Sequence, residues 1–139
     1  MRYLLEPEVS GELGERSIVD PRVHPPRIEH LHFVITGWLG DDIIECFPCY
    51  IITKRLKDIL LLQGFTGFVV ANLELTVSEQ FSLLQPNTEL PQLFWLKIFG
   101  LEQSSDFSLN QENVLSVSER AFEVLEKFTI NGCDVERAT

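Results

Sequence analysis

The chain repeats one pattern of apolar and polar positions in its two halves. Residues 50–52 form a short apolar run, and apolar residues then recur at helical spacing over 53–62. A shift of about 65 residues finds the same order again, with an apolar run at 115–117 and a helical pattern over 118–128. The repeat predicts two units, each made of a strand, a capped helix and a second strand.

Local signals mark both ends of the two predicted helices. Thr53 and Ser118 stand at the helix starts, where a hydroxyl that accepts a hydrogen bond from the first turn contributes about 1 kcal/mol relative to alanine. Gly67 and Gly132 stand where each chain segment turns into the next strand, and glycine tolerates the positive φ angles of such turns.

These patterns predict one α+β domain with pseudo-duplicated strand–capped helix–strand units and a mixed or antiparallel sheet. The first repeat half is 28–77, a polar connection follows at 78–93, and the second half is 94–139. Residues 1–27 carry scattered acids, glycines and prolines, and proline restricts its own backbone and that of the preceding residue. We expect an irregular arm that lies against the domain.

Two further segments alternate in the manner of half-buried strands. In 28–38 the alternation places His30 and His32 together on the outer face, and in 68–77 it places Val69 and the following odd-numbered residues on the inner face. Two histidines two positions apart on a strand can chelate a metal, but no third ligand is evident. We interpret them as solvent-facing residues and expect no metal site.

The three cysteines favour a reducing compartment, because their odd number does not suit a disulfide framework. Cys46 and Cys49 have the spacing of a reversible disulfide. However, Cys49 leads into an apolar strand, whereas a reactive thiolate is usually stabilised by a helix that begins directly after it. We expect both to be ordinary buried or half-buried cysteines.

The sequence contains no nucleophile elbow, glycine-rich phosphate loop or zinc-protease motif, so we expect neither catalysis nor a cofactor. Its 21 acids and 11 bases give a formal net charge of −10, which repels nucleic acids and anionic membranes. Without a long apolar run or a recognisable leader, the chain is expected in the cytoplasm. The charge either serves solubility alone or complements a basic partner protein.

The chain resembles small immunity proteins of bacterial polymorphic or contact-dependent toxin systems in three segments, LHFVITGWLGDDIIECFPCYIITKRLKDILLLQGFTGFVV, LPQLFWLKIFG and DFSLNQENVLSVSERAFEVLEKFTINGCDVE. The resemblance spans 31–136 and rests on the repeated units, on Ser118-Glu119-Arg120 and on an Asp before each strand. Thr53-Lys54 departs from the Ser-Glu pair of the pattern. The resemblance implies a cytoplasmic antidote, used in bacterial competition, that binds and blocks one cognate toxin domain.

Charge and resemblance together direct attention to exposed acids beside an aromatic anchor, which would pair with Lys or Arg of a basic toxin such as a nuclease. The loop 38–45 supplies both, and the repeat places Asp41 over Asp106. The candidate toxin-binding residues are Trp38, Asp41, Asp42, Glu45, Glu102 and Asp106. Two alternatives stay open. One is that Trp38 is a lid over the core and not an interface anchor. The other is that the protein is a small acidic adaptor or structural domain without catalytic activity and not an immunity protein.

Overall fold

A computed structural model describes residues 1–138, which fold into one small α+β domain with more strand than helix. The strands are β1 (Arg2–Glu6), β2 (Glu8–Val9), β3 (Gly11–Leu13), β4 (Ile18–Asp20), β5 (Arg27–His30), β6 (His32–Ile35), β7 (Ile43–Cys46), β8 (Cys49–Thr53), β9 (Phe68–Ala71), β10 (Glu74–Val77), β11 (Leu93–Ile98), β12 (Phe107–Leu109), β13 (Leu115–Ser118) and β14 (Asp134–Ala138). The helices are α1 (Lys54–Gln63), α2 (Glu79–Leu84) and α3 (Glu119–Leu125).

Two antiparallel arrays of strands carry the predicted repeat. One sheet has the order β12-β13-β1-β14, and the larger sheet contains the matching order β7-β8-β11-β9, with β2 parallel to β7 at its edge. In each array a hairpin leads into a helix, β8 into α1 and β13 into α3, and the chain returns as an edge strand, β9 or β14. The pseudo-duplicated fold class is confirmed.

The two halves exchange a central strand. Strand β1 precedes the first half but pairs with β13 and β14 of the second, whereas β11 opens the second half but pairs with β8 and β9 of the first. Arg2 lies opposite Ser118 as Leu93 lies opposite Thr53, so β1 and β11 occupy equivalent places. The expectation of an irregular arm is therefore wrong for much of 1–27, because β1 is a central strand and β2 to β4 also pair.

Both predicted helices exist and bury equivalent positions. Leu56 and Leu60 of α1 are fully buried, as are Ala121 and Leu125 of α3. The pattern over 118–128 overestimates α3, which ends at Leu125 and continues as a turn. The chain after that turn reaches the first half of the molecule, where the Thr129 amide donates a hydrogen bond to Asp42.

The predictions for the helix starts and for the turn glycines are only partly correct. The Ser118 hydroxyl accepts a hydrogen bond from the Ala121 amide at 3.2 Å, whereas the Thr53 hydroxyl makes no such bond. Gly67 has the expected positive φ of 99°, and a Cβ there would lie 1.9 Å from the Phe107 carbonyl oxygen. Gly132 does not have a positive φ.

Both segments that alternate in sequence, 28–38 and 68–77, are divided between two sheets. Residues 28–38 break at Leu31 into β5 and β6, and His32 is buried rather than solvent-facing. Residues 68–77 divide into β9, which pairs with β11, and β10, which pairs with β6. Val69 is 50% exposed, so the predicted inner face is wrong. Connection 78–93 contains α2, whose Phe81 is buried.

The core consists of two apolar clusters on opposite faces of the larger sheet. One includes Ile52, Leu96 and Leu5 and joins both repeat units with α1 and α3. The other includes Ile51 and Trp95 and is covered by β6 and α2. Because β8 and β11 contribute to both clusters, they are apolar on both faces.

Candidate functional site

Asp106 is a structural centre of the second half rather than an exposed acid. It is 6% exposed and accepts hydrogen bonds from the Ser118 hydroxyl at 2.6 Å and from the Thr66 amide at 2.9 Å. Arg120 donates to both carboxylate oxygens, with Nε at 2.8 Å and Nη2 at 2.7 Å. The guanidinium lies 5.0 Å from the centre of the Phe65 ring.

Asp42 occupies the same place in the first half. It is 2% exposed and accepts hydrogen bonds from the Thr53 hydroxyl at 2.6 Å and from the Thr129 amide at 2.9 Å. Arg55 donates to both oxygens and lies 5.4 Å from the centre of the Phe128 ring. The Thr53 hydroxyl donates to Asp42 and does not cap α1, whereas the Ser118 hydroxyl both donates to Asp106 and caps α3.

The two clusters correct the alignment of the repeat. Asp42, not Asp41, corresponds to Asp106, since these two aspartates bind equivalent hydroxyl groups. A constant shift misses this pair because Asp42 lies 11 residues before Thr53, whereas Asp106 lies 12 residues before Ser118. Each aspartate also binds a threonine from the other half, Thr129 or Thr66. The clusters thus hold the two units together.

Hydrogen bonds control the charge state of both aspartates. The hydrogen bonds from Arg120 lower the pKa of Asp106 strongly, against the opposing effect of burial. Burial by itself would raise the pKa of Asp42, but the hydrogen bonds from Arg55, Thr53 and Thr129 outweigh it and lower the pKa. Glu45 shows the opposite shift, since burial and the charge of Glu6 raise its pKa.

We expect these shifts to give stability a maximum at mildly acidic pH. A raised pKa makes Glu45 most stabilising below its unfolded value of about 4.3, and this contribution is lost as pH rises through the folded pKa. Because the folded pKa values of Asp42 and Asp106 are lowered, the stability that these residues contribute is fully present above the unfolded pKa of about 3.9. It is lost as the pH falls from that value through the folded pKa. Urea unfolding at pH 7, 5 and 3 tests this order.

The matched controls are single neutral variants. Glu45→Gln removes the gain in unfolding free energy between pH 7 and 5, and Asp106→Asn reduces the loss between pH 5 and 3. A wild-type unfolding free energy that is constant from pH 7 to 3 would contradict the assignment.

Asp41 is buried as well, but only one of its carboxylate oxygens is satisfied. It is 1% exposed, and its Oδ2 accepts a hydrogen bond from the Gly132 amide at 2.8 Å. Within the described part of the chain, Oδ1 has no hydrogen-bond partner. The prediction that Asp41, Asp42 and Asp106 are exposed acids is therefore wrong.

Trp38 is fixed as part of the fold. Its indole N–H donates to the Asp41 carbonyl oxygen at 2.8 Å, and its backbone forms two hydrogen bonds with the Gln85 side chain, at 2.9 and 2.7 Å. The half-buried ring packs against the second apolar cluster and lines an open groove of about 410 Å³ together with Lys54 and Pro91. These contacts favour the lid interpretation of Trp38.

A different set of acids forms an open surface, which we call the acidic groove. Two adjoining cavities of about 500 and 170 Å³ share Glu6 and Asp134 in their walls. The carboxylates of the groove are Glu6, Glu8, Glu45, Glu112, Asp134 and Glu136. No Lys, Arg or His lines either cavity, and none of the six pairs with a cation among the described residues.

Strand pairing assembles the acidic groove from distant parts of the sequence. Glu6 of β1 lies directly opposite Asp134 of β14, and β2 brings Glu8 beside β7, which carries Glu45. Of the candidate residues, only Glu45 belongs to the groove. Glu102 is half-buried, and its charge raises the pKa of Arg2, although burial of Arg2 lowers that pKa more.

The thiols are expected to be unreactive in the folded protein. Burial raises the pKa of Cys46 and of Cys49 to about 12, and the two residues face each other across the β7–β8 hairpin. We expect an aromatic disulfide reagent at pH 8 to modify them at least about 100-fold more slowly than in urea, because only the thiolate reacts. Fast modification of the native protein would contradict this. The double variant Cys46→Ser/Cys49→Ser should retain function.

Residues 1–138 contain no group of three or more His, Cys, Asp and Glu side chains placed to hold a metal ion. In the same range, no helix has the length and apolar character that crossing a membrane requires. Comparison of the chain with models of protein families, with curated proteins and with solved structures finds no match.

Proposed function

We propose that this protein is an immunity protein that binds and neutralises one basic toxin domain in the bacterial cytoplasm. The observation that carries the proposal is the acidic groove, in which six carboxylates line two adjoining cavities and no Lys, Arg or His of residues 1–138 lines either of them. The resemblance of residues 31–136 to immunity proteins supports the same function.

The groove is electrostatically unfavourable in the free protein. Glu6 and Asp134 are like charges directly opposite each other on paired strands, an arrangement that destabilises a sheet. Lys and Arg side chains of a partner would relieve this repulsion on binding. A complementary surface would also accelerate association and discriminate against acidic competitors. A basic nuclease domain has the required charge.

Apolar side chains beside the groove add a second element of an interface. Phe47 at the tip of the β7–β8 hairpin is 55% exposed, and Val9 is 64% exposed, and both line the larger cavity. Interface residues that contribute most to affinity are commonly aromatic and are surrounded by polar residues. The groove thus combines charge with a small apolar rim.

Charge reversal in the groove is expected to weaken toxin binding without unfolding the protein. Glu6→Lys places a cation opposite Asp134, which favours the sheet, but it also introduces repulsion against a basic partner. Where a secreted protein with a basic C-terminal domain is encoded beside this gene, binding to that domain should weaken at least tenfold, or about 1.4 kcal/mol. Calorimetric titration at low and physiological salt measures the change.

Glu126→Lys is the matched control. It changes net charge by the same amount at an exposed position at the end of α3, away from the groove. We expect its affinity to stay within about threefold of wild type at physiological salt, where distant surface charges are screened. Equal affinities of wild type and Glu6→Lys would contradict the groove as the interface. Failure of the wild type to bind the domain or to protect cells from it would favour the adaptor alternative.

A further inference from the structure

We infer that two copies of the chain associate by pairing their β10 strands, which lie at the edge of the sheet β10-β6-β3. Within residues 1–138, β10 pairs with β6 alone. The amides of Glu74 and Ser78 donate to carbonyl groups on the β6 side, at 2.9 and 3.0 Å. The hydrogen-bonding groups of successive residues in a strand alternate between its two sides, so those of Leu75 and Val77 point away from β6.

The side chains of Leu75 and Val77 bring apolar surface to the same edge. They lie opposite Phe33 and Ile35 of β6, which are fully buried members of the second apolar cluster. Leu75 and Val77 themselves are 39% and 42% exposed. A strand added at this edge would cover the two apolar side chains and the free backbone groups together.

The open edge of β10 carries no charge that would prevent such pairing. Natural proteins commonly protect their edge strands with charged side chains or proline. β14, at the edge of the sheet of the second half, has three charged residues among its five, whereas residues 75–78 contain neither a charge nor a proline. Glu74 at the start of β10 lies on the face opposite to Leu75, where it pairs with Arg16 and His30.

The sequence of β10 is self-complementary in an antiparallel pair whose twofold axis passes by Thr76. In this register Leu75 lies opposite Val77 of the second copy, and each such pair can exchange both of its backbone hydrogen bonds. Glu74 then lies opposite Ser78, so no like charges face each other. Because both copies use the same surface, the association closes as a dimer and does not extend into a filament.

The dimer is expected to be weak and to depend on salt in a characteristic way. A contact one strand wide is smaller than the interface of a permanent dimer, and the net charge of −10 on each copy opposes association. Salt screens this repulsion, so the dimer should become stronger as the salt concentration rises. Binding of a basic toxin domain should instead become weaker.

Sedimentation equilibrium of the full chain tests for the dimer at protein concentrations from about 5 to 500 µM, the range suited to weak association. We expect dimerisation that is at least twofold stronger at about 0.5 M than at about 0.05 M salt. Amide hydrogen exchange over residues 74–78 should be at least twofold slower at the highest protein concentration than at the lowest. A monomer throughout, or a dimer in which this exchange is unchanged, would overturn the inference.

Val77→Lys and Val135→Lys form a matched pair of variants. The two valines are 42% and 43% exposed, they lie on edge strands of different sheets, and both changes alter the net charge equally. Val77→Lys should weaken the dimer at least tenfold, because it places a charge against Leu75 of the second copy, whereas Val135→Lys should stay within twofold of wild type. Equal weakening by both variants would overturn the pairing through β10.

Circular dichroism shows whether each variant folds. If Val77→Lys does not, Val77→Pro replaces it, because proline is tolerated on an edge strand where the N–H that it lacks faces outward. It removes one donor from the dimer and none from the pairing with β6, so it should also weaken the dimer. A folded Val77→Pro protein that dimerises like the wild type would contradict the inference.

The dimer and the proposed function fail separately. Neither Leu75 nor Val77 lines the acidic groove, so Val77→Lys should bind the toxin domain as the wild type does. A monomeric chain that binds the toxin domain overturns the dimer alone, and a dimeric chain that does not bind it overturns the function alone. Protection of residues 74–78 only in the presence of the toxin domain would assign the edge to a strand of that partner and overturn the dimer.

Discussion

Replacement of Asp106 by alanine is expected to lower the free energy of unfolding by about 3 kcal/mol, since leaving a buried donor unsatisfied costs about 1–3 kcal/mol for each group. The ion pair itself contributes little, because Arg120 keeps 60% of its side chain exposed and solvent screens the pair. Most of the loss comes from the Thr66 amide and the Ser118 hydroxyl, which lose their acceptor. Urea denaturation measures the change.

Asp58→Ala is the control for a general effect of removing an acid. Asp58 pairs with Lys54 on the exposed surface of α1, and such pairs contribute little to stability. Asp42→Ala should resemble Asp106→Ala, since both aspartates bind a serine or threonine hydroxyl, an arginine and a threonine amide from the other half. An Asp106→Ala protein as stable as Asp58→Ala would show that the cluster does not hold the halves together.

The helices could be predicted because their signals are local. The apolar spacing in 53–62 and 118–128, together with Ser118 at a helix start, determines most of α1 and α3 without reference to the rest of the chain. The division of 28–38 and 68–77 between different sheets has no comparable local signal. Alternation indicates that a strand has two faces, but it does not identify the sheet to which the strand belongs.

The acidic groove could not be predicted because it depends on pairing across nearly the whole chain. Glu6 and Asp134 stand near opposite ends of the sequence and meet only because β1 pairs with β14 in the sheet of the second half. Net charge gives the excess of acids over bases and not their positions. The sequence therefore predicted Asp41 and Asp42 as exposed binding residues, although both are buried.

One signal for the structural role of the aspartates was present in the sequence. In both halves an Asp stands directly before an apolar strand, and a Ser or Thr at the start of the next helix is followed two positions later by an Arg. These residues are Asp42, Thr53 and Arg55 in the first half and Asp106, Ser118 and Arg120 in the second. The change of one residue in hairpin length hid this correspondence under a constant shift. A repeat of a charged residue at a strand start therefore favours internal pairing over an interface.

Replacement of Leu5 by alanine is expected to destabilise the protein by about 2–5 kcal/mol, although Leu5 lies in the segment whose composition indicates an irregular arm. Leu5 is 1% exposed and belongs to the larger apolar cluster, where β1 lies between β13 and β14. Truncation leaves a cavity that the paired strands on both sides prevent from collapsing. Thermal and urea unfolding measure the loss.

Two further variants show whether β1 is a structural equivalent of β11. Leu96 has the corresponding place in β11 and is also 1% exposed, so Leu96→Ala should destabilise the protein by a similar amount. Val9→Ala removes an apolar side chain that is 64% exposed, from the same N-terminal segment, and should have little effect. If Leu5→Ala behaves like Val9→Ala, the N-terminal strand is not part of the core. If it behaves like Leu96→Ala, the exchanged strand is as necessary to the second sheet as β11 is to the first.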